Sequence, residues 1–263
     1  MDRGTKLFWM LSASVLIRLC SLRAFTYEQF GDELRDFVAD FADINFKLFS
    51  KESLLVVGMV APLYVGAQLI DAQVHELLYD PVCHADRFSS SCLRHCFAED
   101  LGITLPLLAL SGGLWCSSDY RTRLVGRDLL AGMVGIGLAK TAIKNCAYGN
   151  FCYRPYGGCF PKKRIFGGFP SGHAATLAYA TIFLGLQKGA CWAIPVGVYG
   201  ATVITSVLVC NYHYVSQVVA GSALGALYAV AADKLVDERV HALELGVVSD
   251  SRGSPRFQLA YSF

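Results

Sequence analysis

Six stretches of nearly unbroken apolar residues set the pattern of the chain: 54–69, 101–116, 129–143, 174–186, 190–209 and 218–232. Glycine and alanine recur inside them, which suits helices that approach closely in lipid. Several are shorter than the ~20 residues that span a bilayer comfortably, and Lys140 interrupts the third. The pattern predicts an all-α, membrane-embedded bundle of six core helices. Ahead of the first run, residues 25–51 mix apolar and acidic positions and predict an amphipathic helix at the membrane interface. This divides the chain into a signal-like or interfacial segment (1–51), a core (52–236) and a polar tail (237–263).

Composition supports the membrane reading. Of 263 residues, 54% are hydrophobic and 17% charged, against about 25% charged in ordinary soluble domains; the mean hydropathy is +0.42. A net charge of +2, with no basic tract or nucleic-acid motif, gives no reason to expect a nucleic-acid partner.

If all six runs cross, the connections 70–100, 144–172 and 210–217 share one face. The second ends in Pro170-Ser171-Gly172-His173. Ser171 is a good helix N-cap, and the open N–H groups of a helix start suit an anion, phosphate above all. His173 on the first turn is placed to act on that anion. The same face carries Lys144, Arg154, Lys162, Lys163, Arg164 and His213.

Three blocks on this face fit one chemistry: KNCAYGNFCYRP (144–155), FPSGHA (169–174) and SVLVCNYHYVSQVVAG (206–221). Phosphoryl transfer needs cations on the phosphate oxygens, a nucleophile in line with the leaving oxygen, and a proton for that oxygen. Lysine and arginine supply the first, and arginine adds a planar fork that matches two oxygens. Two histidines supply the rest.

In this order the blocks resemble the type 2 phosphatidic acid phosphatase superfamily. It includes membrane lipid phosphatases, glucose-6-phosphatase, bacterial class A acid phosphatases and vanadium haloperoxidases. The resemblance implies metal-independent hydrolysis of a lipid phosphomonoester or pyrophosphate, with no cofactor and the bilayer and its lipid phosphate as partners. It implies that His213 attacks phosphorus to form a phosphohistidine, and that His173 protonates the leaving alkoxide and then deprotonates water. Lys144, Arg154 and the backbone around Ser171 and Gly172 would hold the phosphate oxygens, and Gln217 would orient His213.

Three positions depart from the pattern of the superfamily. Nine residues separate Lys144 from Arg154 where six are usual, and Val207 stands where the third block usually has arginine. Gln217 replaces the usual aspartate, as in the glucose-6-phosphatase branch, where a glutamine also precedes VVAG. Two alternatives follow: a phosphotransferase of the sphingomyelin-synthase kind, whose third block also lacks the arginine, or a catalytically inactive lipid-binding relative.

Six of the ten cysteines (Cys83, Cys92, Cys96, Cys146, Cys152 and Cys159) fall in the two longer connections. Such asymmetry predicts disulfides, a local Cys146–Cys152 pair among them, and an active site on the extracytoplasmic, oxidising face. A rival reading makes Cys83, His84, Cys92, His95 and Cys96 a zinc site, although the spacing matches no standard pattern. Residues 1–24 resemble a secretory signal, but Leu22 spoils the cleavage site before Phe25. Cleavage followed by six full spans would put the active face inside, so the two topological signals conflict.

Overall fold

Each of the six apolar runs forms a helix, and a seventh precedes them. A computed structural model describes residues 27–80, 82, 85–88, 100–156, 165–244, 247–249 and 255–257. Among these, α1 spans Tyr27–Lys47, α2 Lys51–Leu78, α3 Asp100–Trp115, α4 Tyr120–Cys146, α5 Gly172–Lys188, α6 Ala190–Val209 and α7 Val215–Glu244. Two small antiparallel ribbons pair Tyr79–Asp80 (β1) with Ala85–Asp86 (β2) and Val247–Ser249 (β3) with Pro255–Phe257 (β4).

Side-chain caps fix several helix starts. Ser50 accepts from Ser53 N at the start of α2, Asp119 from Thr122 N at α4, and Ser171 from Ala174 N at α5. At the end of α6 the N–H of Asn211 donates to Leu208 O and that of Tyr212 to Val207 O, with Asn211 at φ +51°. This is the Schellman arrangement, in which one left-handed residue closes a helix. It turns the chain sharply so that His213 follows directly.

Helices α2, α6 and the span Val215–His241 of α7 are long and apolar enough to cross a bilayer, as in an integral membrane protein. Helices α3 and α5, at 16 and 17 residues, are shorter, and α4 carries Arg127, Asp128 and Lys140 within its length. Much of α2 faces outward, with Leu54, Leu55, Met59, Leu63 and Leu69 all more than 60% exposed.

The core centres on α5, where Ala174, Ala175, Leu177, Tyr179, Phe183 and Leu184 are all buried. Helices α5 and α7 approach at two small residues. A β-carbon on Gly221 would fall 2.3 Å from Ser171 O, and one on Gly225 would fall 2.1 Å from Ala175 O. Backbone approach of this kind replaces the hydrophobic driving force that lipid removes.

Helix α1 is docked to the bundle by charge as well as by apolar packing. Arg127 of α4 donates to Asp36 Oδ2 at 2.8 Å and pairs with Asp40; Arg239 of α7 also pairs with Asp40. Lys47 meets Glu238 at 2.6 Å, and Ile44 is fully buried beside them. The acidic positions of the amphipathic stretch therefore turn toward basic residues of the bundle. These pairs also carry α7 on to Glu244, beyond the apolar run that ends at residue 232.

The expected Cys146–Cys152 disulfide is absent. Cys116, Cys146, Cys152, Cys191 and Cys210 each carry a thiol, and no disulfide joins any of the described cysteines. The physical reason is direction. Cys146 ends α4 with its side chain exposed, whereas Cys152 is buried in a 3₁₀ turn and donates from Sγ to Ala147 O at 3.5 Å. Cys83, Cys92, Cys96 and Cys159, the zinc alternative with His84 and His95, the basic residues Lys162, Lys163 and Arg164, and the signal-like segment 1–24 lie outside the described residues.

The two glycine environments give a matched test. Gly225→Ala should destabilise the protein by about 1–3 kcal/mol, because the added methyl meets backbone that cannot step aside. Gly137→Ala on α4, where nothing lies within 4 Å of the added carbon, should be neutral or should stabilise by up to about 1 kcal/mol through helix propensity. Thermal melts of both variants in detergent read the difference.

Candidate active site

The C-terminal ends of α2, α4 and α6 and the N-terminal ends of α5 and α7 meet at one end of the bundle, so the three connections singled out by the sequence converge. Hydrogen bonds between them make this concrete. Asp71, near the end of α2, accepts from the N–H and hydroxyl of Ser216, at 3.0 and 2.5 Å. A carboxylate there neutralises the positive end of α7. His75, one turn further along α2, lies 3.0 Å from Asn211 Oδ1, and Asn211 Nδ2 donates to Asp86 Oδ1.

Gln217 is the centre of the site. Its side chain is fully buried and uses both ends. Nε2 donates to Phe151 O and Tyr153 O, each at 2.8 Å; Oε1 accepts from Tyr214 N and meets His213 Nδ1, each at 3.2 Å. Its backbone carbonyl accepts from Ser171 N at 3.0 Å. Because both amide protons go to carbonyls, Oε1 must be the atom facing His213. His213 therefore carries its proton on Nδ1 and leaves a lone pair on Nε2.

The loop that supplies those carbonyls is held on its other side as well. Cys152 O accepts from Gly167 N and Gly168 N at 3.0 and 2.8 Å, and Arg154 N donates to Ile165 O at 2.8 Å. Gly168 must lack a side chain, since a β-carbon there would fall 2.7 Å from the Gln217 amide. Arg154 is thereby presented to the site. Its guanidinium carbon lies 5.7 Å from the Tyr212 ring centroid, a cation–π contact that steadies it.

His173 and His213 face each other with ring centroids 6.2 Å apart and planes inclined by 61°. His213 is almost completely buried. Burial pushes its imidazole well below the ordinary value, the positive charges of Arg154, His173 and Lys144 add to the effect, and the bond to Gln217 opposes it. The ring is thus held neutral, as a nucleophile requires.

Of the residues singled out in the sequence, His173, His213, Gln217, Arg154, Lys144, Ser171 and Gly172 come to this one end. Val207 does not face the site as a polar residue could. It is fully buried in the apolar core and supplies no cation. Asp71, His75, Asn211 and Tyr212 were missed. Asp71 and His75, four apart at the end of an otherwise apolar run, were the available signal.

The sequence model of the PAP2 superfamily, which includes phosphatases acting on phosphate esters, matches residues 128–240, and these include all three blocks. No curated protein and no solved structure matches the chain.

The titration of His213 tests this geometry. With ¹³C-labelled histidine, NMR should show His213 titrating below the ordinary value of about 6.5. Since the folded value is depressed, this group's contribution to stability is present above about pH 6.5 and is lost as pH falls through the folded value. Gln217→Glu should raise the His213 value and destabilise the protein by about 1–3 kcal/mol, because the carbonyls of Phe151 and Tyr153 lose their donor. An unchanged His213 titration in that variant would contradict the assigned contact.

Proposed function

Since residues 128–240 match the PAP2 superfamily, we propose that the protein belongs to it and hydrolyses a lipid phosphomonoester or pyrophosphate through a phosphohistidine. The observation that carries the reading is the pair of imidazoles with distinct roles. His213 is buried, neutral and tautomerically fixed, and it lies within the span of one phosphate ester from His173.

In this mechanism the Nε2 lone pair of His213 attacks phosphorus as the P–O bond to the leaving group breaks. The leaving oxygen takes a proton from His173. Neutral His173 then takes a proton from water, whose oxygen attacks phosphorus and breaks the P–N bond. Inorganic phosphate leaves, and both histidines return to their starting states. Lys144, Arg154 and the N–H groups at the start of α5 hold the phosphate oxygens.

A lipid substrate is supported by the aromatic residues beside the site. Tyr148, Phe151, Tyr153 and Phe166 are each at least 36% exposed. Phe166 stacks on Tyr148 and meets Tyr153 edge-on, and Phe151 meets Phe169. Half-exposed aromatics at the end of apolar helices suit the boundary between headgroups and chains. A single observation favours a second reading, in which the protein binds lipid phosphate without turnover: position 207 supplies no guanidinium. Losing one preorganised donor costs about 2.7–4 kcal/mol of transition-state stabilisation in other enzymes.

Phosphate release from a panel of lipid phosphates, assayed with purified protein in chelator, decides between them. The proposal expects turnover that His173→Ala and His213→Ala each abolish. Binding of the same lipids with no phosphate released would establish the second reading, and transfer of phosphate to an added alcohol in place of water would identify a phosphotransferase.

A further inference from the structure

The position next to the α5 start holds a cation that neither the three blocks nor the family pattern provides. Lys140 lies on α4 one turn before Lys144, so the two side chains share a helix face. The end of the Lys140 side chain rests directly on Gly172, the first residue of α5. A β-carbon at residue 172 would fall 2.6 Å from Lys140 Nζ, 2.8 Å from Cδ and 3.2 Å from Cε. The glycine between Ser171 and His173 is therefore the space that the ammonium occupies.

Nothing among the described residues accounts for the charge at this place. Lys140 is half-buried and makes no ion pair or hydrogen bond among the described residues. An ammonium against a helix N-terminus sits at the positive end of the dipole, which repels it. Lys144 on the same face and Arg154 in the adjoining loop add two further positive charges, and both bear on His213. Such a gathering becomes favourable when an anion with several oxygens bridges its members.

We infer that Lys140 is a phosphate-binding residue, supplying from α4 the cation that Val207 does not supply from α6. The inference rests on the phosphate-ester reading above, and it gives the interruption of the third apolar run a purpose. It also assigns Gly172 a second role: besides opening the helix, it admits Lys140 Nζ to the oxygens that the α5 N–H groups hold. Lys144 and Lys140 then approach the phosphate from one helix and Arg154 from the loop that follows it.

Orthovanadate binding, measured by calorimetry on the purified full-length protein in detergent, tests this without requiring turnover. Lys140→Met should weaken vanadate binding about tenfold or more, the expected loss of one charge-assisted contact, while Lys140→Arg should retain most of it. Gly172→Ala, which keeps the lysine but fills its seat, should weaken binding as Lys140→Met does. Thermal melts run alongside identify any variant that has lost its fold. Wild-type affinity in folded Lys140→Met would overturn the role of Lys140 and leave the phosphate site standing. No vanadate binding by the wild-type protein would overturn the phosphate site itself, and this inference with it.

Discussion

The site depends on the side chain of one glutamine. Gln217 fixes the tautomer of His213, holds the loop that presents Arg154, and through its backbone receives the N–H of Ser171. Its amide thus joins the α4–α5 connection to the start of α7, while its carbonyl joins the start of α7 to the start of α5. Remove its donors and two buried carbonyls lose their partner; remove its acceptor and the imidazole is free to choose the wrong nitrogen. Few side chains could do both, because an amide donates and accepts at the same tip.

That dual character connects two departures from the family pattern. The first block is three residues longer than usual, and its extra turn directs the carbonyls of Phe151 and Tyr153 at residue 217. An aspartate at 217 would accept from His213 but could offer those carbonyls nothing. The longer loop and the glutamine are therefore physically matched. Val207 has no comparable local partner. It packs in the apolar core, and its carbonyl serves the turn that delivers His213.

The all-α bundle was legible because each run is apolar without alternation and is too rich in Gly and Ala to be read as strand. The helix lengths were not. Helix α2 continues to Leu78 because Asp71 and His75, polar by type, are satisfied by Ser216 and Asn211. Helix α7 continues past residue 232 because Glu238 and Arg239 find Lys47, Asp40 and Asp43. The contact of His213 with Gln217 was legible from a spacing of four, and the cap at Ser171 from residue type. The donation from Gln217 to the loop was not legible, since it depends on where two carbonyls point after a turn. The same limit produced the disulfide error: the interval between Cys146 and Cys152 says nothing of the direction in which either thiol faces.

The ion pairs that hold α1 have a consequence for assembly. Asp40 is shared between Arg127 and Arg239, and Lys47 meets Glu238 across 191 residues of chain. The first described helix leaves the ribosome long before the last, so its full complement of partners exists only once residues 238 and 239 have been made. Until then its carboxylates have water, Arg35, Trp115 and Arg127. The first and last described helices thus close this part of the bundle together, like a clasp. A nascent protein that stops short of residue 238 would carry the two histidines in sequence yet hold the first helix without its ion pairs to α7.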